Sequence, residues 1–229
     1  MSGFDPFGLV SRLIPEHSLH LLIKLFLALF CAVFLVMRFL EYGDFLLKPL
    51  WAVETAVYAV ALAAFIRRRD PVDRAKGAVE IFLPAAGALL PFALLLTPPA
   101  PYVLARGWLL LAIFWWMTFS TLLTVVSFLY LGRSFSITPE ARELVTGGPF
   151  RYIRHPAYLG EMLSASAVAA WRFSAANLLA LAFFFALQLA RARLEERKLA
   201  ANFPEYPETV GKSWWFTRAA RPDFPSTPR

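Results

Sequence analysis

The sequence predicts an all-α integral membrane protein with about five spanning helices and one short helix that forms a hairpin with the last. Composition is the first observation. Hydrophobic residues make up 59% of the 229-residue chain and charged residues 17%, against roughly 45–50% and 25% in an average globular domain. The second is size: a chain this short has too little interior to hide that much apolar surface from water, and 22 Phe and 7 Trp add to the load. The third is arrangement, since the apolar residues fall in runs near the roughly 20 residues that a spanning helix needs. The same figures exclude a disordered chain, a collagen and a disulfide-stapled secreted scaffold. The single cysteine, Cys31, lies inside an apolar run and reads as a small buried hydrophobe. The net charge of +7 is gathered in the connections, a distribution that suits a bilayer surface and not nucleic acid.

The first run covers Leu19 to Leu40, with Lys24 and Arg38 near its ends, where long side chains can snorkel. The second, Pro49 to Ile66, opens on a proline suited to a first helical turn. The third, Ala78 to Thr97, stops against Thr97-Pro98-Pro99-Ala100-Pro101, and the fourth, Gly107 to Leu131, carries no charge. Tyr158 to Trp171 would reach only about 20 Å as a helix, too short to span alone. It is followed across Arg172 by the uncharged run Phe173 to Ala190, so the two are expected to form a hairpin with its tip at Arg172. Two parts result: residues 1–131 with helices one to four, and residues 132–229 with a polar connection, the hairpin and a tail.

Connection charge orients the stack. Arg67, Arg68, Arg69, Arg74 and Lys76 lie in one connection, and Arg133, Arg142, Arg151 and Arg154 in another on the same side. The opposite connections, Glu41 to Lys48 and Thr97 to Arg106, are almost free of positive charge. The positive-inside bias therefore puts both termini in the cytoplasm. No small-residue cleavage site follows the first run, so a signal peptide is not expected. The proline-rich segment Phe203 to Arg229 reads as a surface tail or cap.

Polar chemistry is concentrated in two places. Gly132 to Glu161 is a turn-rich connection with Gly147-Gly148-Pro149, followed by alternating aromatics and cations: Phe150, Arg151, Tyr152, Arg154, His155, Tyr158. Connections of this length without their own structure are usually functional, although a basic amphipathic segment on anionic lipid explains the same pattern. The second cluster follows the last helix. Arg191 and Glu195 are spaced i, i+4 on one helix face, beside Glu196. An ordinary interfacial pair is one reading; a carboxylate that holds a cationic ligand is the other.

Leu144-Val145-Thr146-Gly147-Gly148-Pro149, then Arg154-His155-Pro156-Ala157-Tyr158, then Glu195-Glu196 and Phe203 to Glu208 together form a signature. Over roughly Gly132 to Tyr206 it resembles the isoprenylcysteine carboxyl methyltransferase family, integral-membrane enzymes that use S-adenosyl-L-methionine and share this signature with phospholipid N-methyltransferases. The resemblance implies that Glu143, Leu144 and Val145, with His155, Pro156, Ala157 and Tyr158, wrap the adenosine part of the cofactor. It implies that Glu195 binds the cofactor and that Arg191 lies on the substrate side, where it would hold a carboxylate. Phe150 stands where family members often have tyrosine, so stacking is kept and a hydroxyl is lost. The implied reaction is carboxyl O-methylation of a lipid-like or prenylated cysteine acceptor that arrives from the bilayer. One alternative is phospholipid N-methylation. A second is an NADPH-dependent sterol-type reductase, which Glu195 and Glu196 disfavour because a dinucleotide phosphate wants cations; a non-enzymatic membrane scaffold is the third.

Other residues have plainer readings. His17 and His20 are three apart but lack further ligands, so no metal is expected. Glu80 is expected to snorkel near its helix start, and Glu54, inside a spanning segment, is a functional candidate. Pro84 and Pro91 share a face of the third helix and would kink it, while Trp115 and Trp116 are expected to pack inside.

Overall fold

A computed structural model describes residues 16–67, 77–135, 143–210 and 213–216. The described residues form helices α1 (Glu16–Leu40), α2 (Lys48–Arg67), α3 (Gly77–Ala93), α4 (Pro101–Leu104), α5 (Gly107–Leu131), α6 (Pro156–Trp171), α7 (Ala175–Asn202) and α8 (Tyr206–Val210). Among them there is no strand, only an isolated bridge between Ile153 and Trp214. The all-α membrane class is what the chain adopts. Three helices, α2, α5 and α7, are long and apolar enough to cross a bilayer.

That count is of the described residues; among them α3 stops short of the expected run to Thr97. It runs through Pro84 and Pro91, ends at Ala93 and passes into a 3-10 turn at Leu94–Leu96. A proline offers no N–H and crowds the preceding turn, and the helix gives way to the tighter turn three residues after Pro91. The opposite departure occurs in α7, which continues three turns past Ala190 to Asn202. Arg, Leu, Glu and Lys fill Arg191 to Leu199, all strong helix formers, so the helix outlasts its apolar run.

The hairpin tip lies where expected. α6 ends at Trp171 and α7 starts at Ala175, with Ser174 Oγ accepting the Asn177 backbone N–H at 3.1 Å. The Asn177 amide donates to the carbonyls of Leu94 (3.1 Å) and Arg172 (2.7 Å) and to Thr97 Oγ1 (2.7 Å), pinning the tip to the end of α3.

Packing runs α1–α2–α5–α6–α7–α3, with α5 against α6 the most extensive seam. That seam depends on small residues: a Cβ on Gly160 would lie 2.3 Å from Thr124 Oγ1 and 2.8 Å from the Ser120 carbonyl. Lipid gives helices no hydrophobic reason to associate, so close backbone approach through such residues supplies the attraction. Across the α3–α7 seam Glu80 meets Lys198 at 2.7 Å, so Glu80 is an interhelical partner and does not simply snorkel. Arg38 likewise is not a snorkelling cation: it reaches Glu54 at 3.1 Å and Glu41 at 3.3 Å. Trp115 and Trp116 are 38% and 42% exposed on the bundle surface, not packed inside. Cys31 is buried beside Ala61 and Phe65. The side chains of His17, His20 and Lys24, and residues 68–76, 136–142, 211–212 and 217–229, lie outside those described.

Because α1 and α3 stand at the two ends of this packing order, a cavity of about 1340 Å³ remains between them, walled by α1, α2, α3, α5, α6 and α7.

Candidate active site

One end of the cavity is built from the segment before α6, the last turns of α7 and the tail. Gly148 has φ +56°, and a Cβ there would lie 2.4 Å from Tyr130 Cζ, so only glycine fits this turn. The turn delivers Ile153, Arg154 and His155 to the start of α6, where Pro156 occupies the first helical position. The tail clips on beside it: Trp214 N–H donates to the Tyr152 carbonyl at 2.8 Å, and Arg154 N–H to the Trp214 carbonyl at 3.1 Å.

Glu196 is the anchor of the cluster. Its side chain is fully buried and accepts from Arg154 Nη1 at 2.8 Å, with His155 Nε2 at 3.1 Å from the same Oε1. A carboxylate removed from water is tolerated only when hydrogen-bonding partners replace the lost hydration, and here Arg154 and His155 do so. With Nε2 committed to Glu196, His155 turns Nδ1 toward Glu195 Oε2 at 3.6 Å. Burial alone would lower the His155 pKa, but hydrogen bonding to Glu195 and Glu196 outweighs it and raises the value above the ordinary range. The ring is held between Tyr158, parallel at 5.5 Å, and Trp215, edge-on at 4.9 Å.

Arg191, one turn before Glu195, lies over the Tyr158 ring at 4.7 Å. Its Nη1 donates to Gln188 Oε1 at 2.7 Å and lies 3.9 Å from Glu161 Oε2, while the Gln188 amide donates to Glu161. Room for this group comes from α3: a Cβ on Gly87 would come within 3.0 Å of Arg191 Cδ and 3.1 Å of Nη1. From the tail, Tyr206 is buried against the same end, its hydroxyl pKa raised by burial and by the nearby Glu196 and Glu195.

Glu143, Leu144, Val145, Phe150, His155, Ala157, Tyr158, Arg191 and Glu195 all line the one cavity. Pro156 does not; it is buried at the helix start and sets the position of its neighbours. Sequence reading missed Glu161, Gln188, Gly87 and the clip at Trp214 and Trp215, and it singled out Glu196 without its anchoring role. Glu161 could have been found, since it falls three residues after Tyr158 on one helical face. Among the described residues no group of three or more His, Cys, Asp or Glu side chains is placed to hold a metal.

What the arrangement can hold follows from its donors. Glu195, 30% exposed, offers carboxylate oxygen to the cavity, which Phe150 and Tyr158 also line. That set fits a ligand with a positive charge and a flat ring.

Residues 102–205 match the phospholipid methyltransferase family model. The match points to a membrane methyltransferase. It starts in α4 and takes in Arg154, His155, Glu161, Gln188, Arg191, Glu195 and Glu196, whereas α1, α2, α3 and α8 lie outside it. Comparison with curated proteins and with solved structures gives no match.

Proposed function

We propose that the protein transfers a methyl group from S-adenosyl-L-methionine to an amine carried by a membrane lipid or lipid-like molecule. The observation that carries this reading is the Arg191–Gln188–Glu161 group on the wall of the cavity that Glu195 also faces. When bound, the cofactor supplies a sulfonium-activated methyl group, and the acceptor's lone pair displaces S-adenosylhomocysteine with the electron pair passing to sulfur. Glu195 holds the cofactor's ammonium, and Phe150 or Tyr158 provides a face for adenine. His155, fixed by Glu196, orients Glu195. Positioning and exclusion of water are then the protein's main contributions. Both termini and this end of the cavity lie on the cytoplasmic side in this reading, where the soluble cofactor arrives.

Glu161 supports an amine as the acceptor. Arg191 alone would recruit a carboxylate, but the Arg191–Glu161 pair carries no net charge. It therefore neither attracts a carboxylate strongly nor repels an amine, and Glu161 can take the proton that an ammonium must lose before it attacks. The match to phospholipid methyltransferases supports the same choice. Carboxyl methylation of a prenylated or other lipophilic acceptor is the second reading, favoured by the presence of Arg191 on the cavity wall.

The test uses purified protein in lipid nanodiscs with methyl-labelled cofactor. An N-methyl product keeps its label in mild base, whereas a methyl ester releases labelled methanol. Glu161→Gln is expected to cut turnover at least about tenfold at neutral pH while S-adenosylhomocysteine binds as before, a loss typical of a missing general base. Base-labile product from the parent protein would promote the carboxylate reading, and failure to bind S-adenosylhomocysteine would remove both.

A further inference from the structure

The cavity has a second polar group on the wall opposite the residues described above, outside the matched stretch. Arg38, near the end of α1, lies 3.1 Å from Glu54 of α2 and 3.3 Å from Glu41. Tyr58, one turn along α2 from Glu54, lines the cavity beside this pair and stacks on Phe34 at 5.1 Å. Trp51 Nε1 donates to the Arg38 carbonyl at 2.7 Å, which holds the end of α1 against α2. Arg38, Glu41, Glu54 and Tyr58 all line the same cavity as Arg191 and Glu195.

An ion pair used only to join α1 to α2 gains little, because well-packed apolar side chains do as well or better. Nor is this pair sealed in the seam: Arg38 and Glu54 keep 22% and 21% of their side-chain surface open. Ionisable groups within a spanning segment are costly and usually face a pathway or a ligand. The balance of charge indicates the kind of ligand. Glu41, Glu54 and Asp44 outnumber the cations Arg38 and Arg172 in the lining, and Arg172 Nη1 already donates to the Leu95 and Thr97 carbonyls, so an anion is disfavoured. The carboxylates keep lone pairs that Arg38 does not cover, and these accept hydrogen bonds.

Helix geometry sets the spacing. Cys31 of α1 and Ala61 of α2 belong to one buried cluster with Ala157, next to Tyr158. Arg38 and Glu54 each lie seven residues farther from that level, about 10 Å along the helices. Between the two levels α2 gives Val57 to the cavity, whose lining is mostly apolar but also includes Thr121, Thr124 and Ser164.

We propose that Arg38, Glu54 and Tyr58 form a second polar subsite, which binds a hydrogen-bond-donating group, such as a hydroxyl, amide or ammonium, on the acceptor at the far side of an apolar segment. The acceptor is then an amphiphile polar at two places and apolar between them. Where its reacting end lies rests on the methyl-transfer reading; the subsite itself does not.

Thermal shift of the purified full chain in mild detergent tests this with matched probes. Dodecylamine is compared with 12-aminododecan-1-ol, and dodecanoic acid with 12-hydroxydodecanoic and dodecanedioic acids, each titrated for an apparent Kd. Within the head-group series that binds, the far hydroxyl is expected to tighten binding about tenfold, the increment of one hydrogen bond to a charged group. The far carboxylate is expected to add nothing. Glu54→Gln and Tyr58→Phe should each remove most of the hydroxyl increment and leave the single-headed probes and S-adenosylhomocysteine unaffected. Tyr58→Phe keeps the Arg38–Glu54 pair, so it reports even if Glu54→Gln fails to fold. An absent hydroxyl increment in the parent protein, or one that survives Tyr58→Phe, overturns the proposal. Loss of S-adenosylhomocysteine binding with the increment intact would overturn the methyltransferase reading and leave the subsite standing.

Discussion

The two walls of the cavity handle charge differently. On the wall built by α6, α7 and the tail, charged groups are buried and shared: Glu196 serves both Arg154 and His155, and Arg191 meets Gln188, Glu161 and the Tyr158 ring. On the wall built by α1 and α2, one cation, Arg38, is divided between two partly open carboxylates, Glu41 and Glu54. The first wall, apart from the tail, falls within the matched residues 102–205 and the second outside them. A buried, interlinked set fixes atoms in place and suits chemistry that depends on position. An open set keeps unused acceptors and suits recognition.

Removing a charge should expose this difference most sharply. Glu196→Leu strips a fully buried carboxylate from Arg154 and His155 and removes the acceptor that the two share. We expect a loss of about 3–5 kcal/mol in unfolding free energy, the range for breaking a buried pair by taking one partner. Glu54→Gln should cost about 1 kcal/mol or less, since its pair is partly solvated. Denaturant unfolding followed by tryptophan fluorescence measures both. Equal losses would mean that the two walls do not differ in kind.

The next largest effect separates the two adjacent glutamates. Glu195→Gln keeps Glu196 and its anchor contacts but removes the charge that faces the cavity. S-adenosylhomocysteine affinity should fall by about 1.5–3 kcal/mol, the range for a hydrogen bond to a charged group, with stability nearly unchanged. Calorimetry of the purified protein gives the number, and undiminished affinity would release Glu195 from the cofactor role.

These two glutamates also show how far a sequence can be read. Their adjacency marked the place, but successive helical residues point about 100° apart, and which one faces inward depends on what α6 and the tail bring to each side. The partner of Glu196 is Arg154, 42 residues earlier in the chain, and no local pattern encodes that distance. Gln188 was invisible for a related reason: one amide inside an apolar run gives no periodic signal, and its meaning comes from Glu161 on another helix. Arg38 looked like a snorkelling cation because its nearness to a helix end was legible and its long-range partner Glu54 was not. By contrast α5 was expected and found at Gly107–Leu131, and the hairpin tip at Arg172, because an uncharged run with polar stops is a local property.

The smallest expected effect is on pH dependence, and it tests how tightly the buried wall is coupled. His155 is faced by Glu195 and Glu196 of α7, by Tyr158 of its own helix and by Trp215 of the tail, with Arg154 sharing Glu196. Its pKa is lowered by burial but raised further by hydrogen bonds to the two glutamates, so the net value in the folded protein lies above that of the unfolded chain. A raised pKa means that the fold favours the imidazolium. The resulting stabilisation is complete below the unfolded value of about 6.5 and is lost as pH rises through the folded pKa. The thermal midpoint of the parent protein should therefore decline as pH rises above about 6.5, by an amount equivalent to about 1.4 kcal/mol for each unit of difference between the two pKa values. His155→Gln removes the titrating group while keeping a donor toward Glu196, and its midpoint should follow a flatter course over the same interval. A parent protein whose midpoint climbs through this interval, or a variant with the same slope, would show that His155 is held neutral and that Glu196 is satisfied by Arg154 without it.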